Sequence, residues 1–238
     1  MPCACHSGNR GMNLVILGYG EDSLTLWAIT SQLGEVLSQL SDDQPPDQCA
    51  VLYRPSFGRK GGERSSEFGE FDFIILTSRR AYLGESKWDR QGRESLESIQ
   101  LNTAQTNRHR TMRQYIETWY SGECKSWDEF AEKARSSSRV TQGLKPIPGA
   151  KTILYGNLRS TFNQVKSHCS GLPGVVDVLL FFHKGVRDPT TLPTVPLGFQ
   201  QIHLDYSPLL EETYLRLGCG VTILGKGETE YNSSRDLA

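Results

Sequence analysis

Leu26, Ile29, Leu33, Val36, Leu37 and Leu40 recur every three or four positions, and this spacing predicts a helix over 23–40 with one apolar stripe. Asp22 or Ser23 is the expected N-cap. The run SDDQPPDQ ends the helix, because its paired prolines cannot continue it. Three strand-like segments follow, at 49–57, 71–77 (FDFIILT) and 81–88 (AYLGESKW), rich in aromatic and β-branched residues. A stretch rich in glycine and charge, GRKGGERSSEFGE, joins the first two, and Ser78 to Arg80 make a tight turn between the others. Helical patterning returns over 94–120, then over 126–134, where Ser126 and Glu129 stand in capping-box relation. A strand or short element at 152–155 precedes a helix at 160–168. The run VVDVLLFF at 175–182 breaks its apolar character only at Asp177, which suits a central strand buried on both faces. Further strands are expected at 199–206 and 220–224. The order predicts an α/β fold: a central mixed sheet flanked by helices.

Composition bounds the function. The chain has 238 residues, 37% hydrophobic and 22% charged, which is the make-up of a folded domain with a real core. No apolar run nears the roughly 20 residues that cross a bilayer, so a membrane-spanning helix is not expected. Lys plus Arg is 26 and Asp plus Glu is 27, a net charge of −1, so a histone-like polycation is excluded. Nucleic-acid binding would need a local basic patch. The cysteines, beyond Cys3 and Cys5, are scattered singly, and the N-terminal apolar run is too short for a signal-peptide core. Both features point to a cytoplasmic chain with reduced thiols.

One constellation carries chemistry. Glu85 and Lys87 are two apart on the third strand, so both project from one face. Asp72 lies at similar depth on the preceding strand, and a hairpin turning at 78–80 brings it beside Glu85. Two carboxylates can hold Mg²⁺ (or Mn²⁺) through hard oxygen ligands. The metal can activate a water and stabilise charge at phosphorus, and a lysine can orient that water. The triplet alone means little, since Glu123 and Lys125 repeat it in a loop with no upstream Asp. The competing reading is an ion pair on a solvated sheet face. Against it, FDFIILT and AYLG look buried, and a charge on such an element is costly without a function.

Asp72 followed by Glu85-Ser86-Lys87, with a helix before the three strands and helices after, resembles the PD-(D/E)xK nuclease superfamily. The resemblance covers about 20–120, completed by the strand near 175–183. It implies an αβββαβ restriction-endonuclease-like core and metal-dependent phosphodiester hydrolysis, most naturally of DNA. With it the chain is expected to form a single nuclease-like domain over 13–225, and the residues outside that span read as a disordered leader at 1–12 and a flexible polar tail at 226–238. Asp72 and Glu85 would be metal ligands, the Ser86 carbonyl a further ligand, and Lys87 the catalytic lysine. Phe71 stands where the family's nominal Pro is absent. Many members add a Glu from the first helix. Glu21 is the better candidate, because Glu35 falls opposite the apolar stripe. At Glu21, an ordinary helix-dipole role is an equal explanation. Exonuclease relatives place a Gln on the following helix, for which Gln100, Gln105 and Gln114 are present, though a solvated helix face explains them as well.

Arg79, Arg80, Arg90, Arg93, Arg108, Arg110 and Arg113 gather in sequence around this constellation and suit a nucleic-acid backbone. His109, His168, His183 and His203 are isolated, and no nucleophile elbow accompanies them. The expectation is a Mg²⁺-dependent nuclease acting on DNA. The alternative is a catalytically inactive nuclease-like fold that binds nucleic acid or a protein. Residues 152–238 carry no chemical signal. Beyond the strand near 175–183, they could complete the core, mediate a homodimer or shape substrate access.

Overall fold

The stripe from Leu24 to Leu40 folds as two helices. The structure, a computed structural model, describes residues 15–57, 69–89, 98–121, 124–136, 147–185, 193–211 and 214–219. A short strand β1 (Val15–Gly18) leads into α1 (Glu21–Ser31), and α2 (Leu33–Gln39) follows after a break at Gln32. Ser31 and Gly34 flank the break, and small residues of this kind permit a sharp kink. The kink keeps Leu33, Val36, Leu37 and Leu40 in the same buried cluster as Leu24, Trp27 and Ala28. The helix also starts earlier than the capping pattern suggests, with Gly20 as N-cap at φ 85°, a left-handed conformation that glycine adopts without strain.

β2 (Ala50–Tyr53), β3 (Phe73–Leu76) and β4 (Arg80–Trp88) pair antiparallel in chain order. The chain then leaves the sheet through α3 (Thr103–Ser121), α4 (Trp127–Ser136) and α5 (Ile153–His168). It returns as β5 (Gly174–His183), parallel to β4, and β6 (Phe199–Asp205), parallel to β5. The result is a five-stranded mixed sheet in the order β2-β3-β4-β5-β6. A separate small sheet, β1-β8-β7, is made by β7 (Leu210–Glu211) and β8 (Tyr214–Cys219). Neither β1 nor β8 stands out in the sequence, because each is short and its partner lies some 200 positions away. The strand expected at 220–224, the leader at 1–12 and the tail at 226–238 lie outside the described residues.

The strand period of two decides which side each residue faces. Ala81 and Leu83 of β4 join Ile74 and Leu76 against Met112, Tyr115, Phe130 and Phe162 of the later helices. Tyr82 joins Phe73 and Ile75 against α1 and α2. Helices therefore cover both faces, and β5 has no exposed residue after Gly174. At Gly84 the side chain must be absent, because a Cβ there would collide with the Phe73 ring. Thr152 caps α5, its hydroxyl accepting from the Tyr155 N–H at 3.1 Å. That cap turns 152–155 into helix, where its β-branched residues suggest a strand or short element. Among the described residues no helix is long and apolar enough to cross a membrane.

Candidate functional site

The antiparallel register that pairs Phe73 with Gly84 sets Asp72 beside the Glu85–Ser86 step. The Asp72 N–H donates to the Gly84 carbonyl at 3.1 Å, and the Ser86 N–H donates to Asp72 Oδ2 at 2.7 Å. Glu21, the first residue of α1, reaches the same strand end, where its Oε2 accepts from the Trp88 N–H at 3.0 Å. Lys87 Nζ donates to the Ser86 carbonyl at 2.6 Å and stands 3.7 Å from Glu21 Oε1. The Ser86 hydroxyl is tied to α1 by Thr25, whose Oγ1 donates to it at 2.7 Å. Three chain segments thus converge at the end of β4: the start of α1, the entry to β3, and Glu85-Ser86-Lys87.

Glu85 turns the other way, into α3. It is 1% exposed. Its Oε2 accepts from Gln105 Nε2 at 2.7 Å, and its Oε1 faces the Arg108 guanidinium and His109 Nε2, the latter at 3.2 Å. Gln105 also caps α3: its N–H donates to Asn102 Oδ1 at 2.8 Å while its own Oε1 accepts from the Asn102 N–H at 3.1 Å. One side chain therefore starts the helix and grips the carboxylate. Arg108 lies over the Phe71 ring, 5.2 Å from its centroid, in a slot kept open by Gly69, where a Cβ would collide with the guanidinium. Behind it His109 Nδ1 stands 2.9 Å from Asp177 Oδ1, and Asp177 in turn pairs with Arg113.

The charges sort into two groups. Burial, and then the neighbouring charge of Glu85, push the Asp72 carboxyl above its ordinary value. Burial also raises Glu21, with Asp72 adding to the push and Lys87 opposing it. These carboxylates sit where negative charge is in surplus. Around α3 the balance reverses. Burial works against the charge of Glu85, yet His109 and Arg108 outweigh it and hold the carboxyl below its ordinary value. Burial likewise opposes the charge of Asp177, which His109 and Arg113 keep low. Burial disfavours imidazolium at His109, but Asp177 and Glu85 overcome that and raise it. Both ring nitrogens face carboxylate oxygens, and only the doubly protonated ring donates to both.

Asp72, Glu85, Ser86, Lys87 and Glu21 are thus brought together, and Arg108 joins them through Glu85. Arg79 and Arg80 are not: they occupy the opposite end of β4, where Arg79 pairs with Asp43 and Arg80 donates to the Tyr82 hydroxyl at 3.1 Å. Arg110 is exposed on α3 beside Asn107. Arg90 and Arg93 lie outside the described residues. Glu35 is exposed and accepts from Gln39, away from the cluster. His109 and Asp177 are the participants that the sequence reading passes over. Asp177 did leave a signal, as the one charge in an otherwise apolar strand. Among the described residues, no group of three or more His, Cys, Asp or Glu side chains is placed to hold a metal ion. Comparison with protein-family models, with curated proteins and with solved structures returns no match.

Proposed function

We propose that the chain is a divalent-metal-dependent nuclease of the PD-(D/E)xK kind, hydrolysing phosphodiester bonds in DNA. The observation that carries this reading is the meeting of Asp72 with Glu85-Ser86-Lys87 at a strand end, beside Glu21. The order α1, β2, β3, β4, α3, β5, with β5 parallel to β4, supports a restriction-endonuclease-like αβββαβ core. The donor set suits Mg²⁺ or Mn²⁺, which take hard carboxylate and carbonyl oxygens. Asp72, Glu85 and the Ser86 carbonyl would hold the ion, with Glu21 on the helix side. A cation there would offset the burial, and the lesser carboxylate repulsion, that raise Asp72 and Glu21. When bound it would supply a water of lowered pKa and positive charge for the phosphate oxygens. Lys87, with three donors and a neighbouring carboxylate, orients the attacking water.

A second reading, an inactive nuclease-like fold that binds nucleic acid or a protein, is favoured by one observation. Both oxygens of Glu85 are already engaged, by Gln105, Arg108 and His109. Two measurements separate the readings. Titration calorimetry with Mn²⁺ should give a binding heat that Asp72→Ala abolishes. Cleavage of DNA in Mg²⁺ should fall by about 100-fold or more in Asp72→Ala and in Lys87→Ala, the scale of losing general acid–base or electrostatic help. Equal cleavage by parent and variants would sink the nuclease site, and absence of any Mn²⁺ heat would leave the inactive fold.

A further inference from the structure

A cavity of about 730 Å³ opens between the last turn of α3, the start of α4 and the outer side of α5. Its size falls within the roughly 300–1,000 Å³ of small-molecule sites. Trp119, Trp127 and Tyr155 supply its aromatic wall. Trp127 is fixed by its Nε1, which donates to the Pro148 carbonyl at 3.0 Å, and by the edge of Tyr155, with ring centroids 4.8 Å apart. Lys125, Arg159 and Lys166 line the same cavity, against one carboxylate, Asp128. Arg159 is oriented there, donating to the Tyr155 hydroxyl at 2.8 Å. Elsewhere in the fold Arg54, Arg79, Arg108, Arg113 and Lys133 all have carboxylate partners. Among the described residues Lys125, Arg159 and Lys166 have none within ion-pair distance, so the described lining sets three positive side chains against the single carboxylate of Asp128. Trp119 is ten residues along α3 from His109, which sets it about 15 Å along the helix from the residue that meets Glu85.

We propose that this cavity binds a nucleoside phosphate. The base lies against the aromatic wall, since base–aromatic stacking needs only a flat apolar face. The phosphate lies among Lys125, Arg159 and Lys166, for which guanidinium and ammonium donors are suited. Asp128 and Asn163 offer an acceptor and a donor to sugar hydroxyls or to the polar edge of the base. A free mononucleotide and the 5′-terminal nucleotide of a strand share this chemistry. The site does not depend on the nuclease reading, because none of its residues belongs to the Asp72–Glu85 cluster.

Calorimetry of the full chain in EDTA, which silences any divalent-ion site, tests it. The probes are AMP, a short oligonucleotide with and without a 5′-phosphate, adenosine, and inorganic phosphate. AMP or the 5′-phosphorylated strand should give saturable heat, and the tighter of the two names the source. Adenosine, phosphate and the unphosphorylated strand should bind about tenfold more weakly or worse, as loss of a charge-assisted hydrogen bond implies. The exposed double variant Arg159→Ala/Lys166→Ala should keep the parent's circular dichroism and thermal midpoint, yet lose about tenfold or more of the affinity. The proposal is overturned if neither AMP nor the 5′-phosphorylated strand saturates at millimolar concentration, or if the double variant binds as tightly as the parent.

Discussion

Asp72 carries a conflict that a single substitution can expose. Its carboxyl is pushed up by burial and by Glu85, so its ionised form is less welcome in the folded chain than in the unfolded one. The sign follows. Above its folded pKa the group destabilises, and the penalty fades as pH drops through that value and below the ordinary carboxylate range. Asp72→Asn keeps an oxygen for the Ser86 N–H but removes the charge. In EDTA at neutral pH it should raise the thermal midpoint by about 2–4 °C, the span of a 1 kcal/mol gain in a chain of this size. The gain should disappear in acid. Adding Mg²⁺ should reverse the ranking, stabilising the parent and leaving the variant unmoved. Thermal scans across pH, with and without metal, check all three outcomes. A variant that is less stable than the parent in EDTA would mean that Asp72 is held by more than it is strained.

At the scale of elements, α3 is where polar and apolar packing meet. One side of it buries Met112, Tyr115 and Ile116, while His109 on the same helix crosses to Glu85 of β4 and Asp177 of β5. The folded chain raises the His109 pKa, so its contribution to stability is complete below about 6.5, the unfolded value, and is lost as pH climbs through the folded value. Stability should therefore decline on the alkaline side in the parent. His109→Asn should lower stability at pH 6 by about 3–5 kcal/mol, as breaking a buried charged pair does, and should lack that alkaline decline. Denaturant melts between pH 6 and 9 read both effects. Much of the element order was legible beforehand. FDFIILT, AYLGESKW and VVDVLLFF announce their strands by residue type alone. The hairpin register that joins Asp72 to Ser86 follows from the short turn at 78–80. The network behind Glu85 was less legible: its partner His109 lies 24 positions away and the Asp177 that His109 reaches lies 92 away, and no local pattern joins a helix residue to a strand that comes two helices later. The start of α3 was also hidden, since the Asn102–Gln105 cap competes with helical patterning that runs on upstream.

For the molecule as a whole, a net charge of −1 conceals local order. Acidic groups collect at the strand end, Arg108 and Arg113 are engaged with Glu85 and Asp177, and Arg110 is an exposed residue of α3. If DNA lies along that face, Arg110→Ala should weaken binding uniformly across sequences and reduce the slope of log K against log salt by about one. Fluorescence anisotropy over a salt series measures it, and an unchanged slope would move the DNA path off α3. The bridge Glu85–His109–Asp177 has a consequence for how the chain assembles. It gives the helix an address on the sheet that greasy contacts alone do not specify, since one residue of slippage would strand two acids without their base. Such an address exists only once β4 and β5 lie side by side. The long crossover should therefore lock last, as a check that the parallel pair has formed correctly. In pulse-labelling hydrogen exchange, the amides of β4 and β5 should gain protection before those of α3.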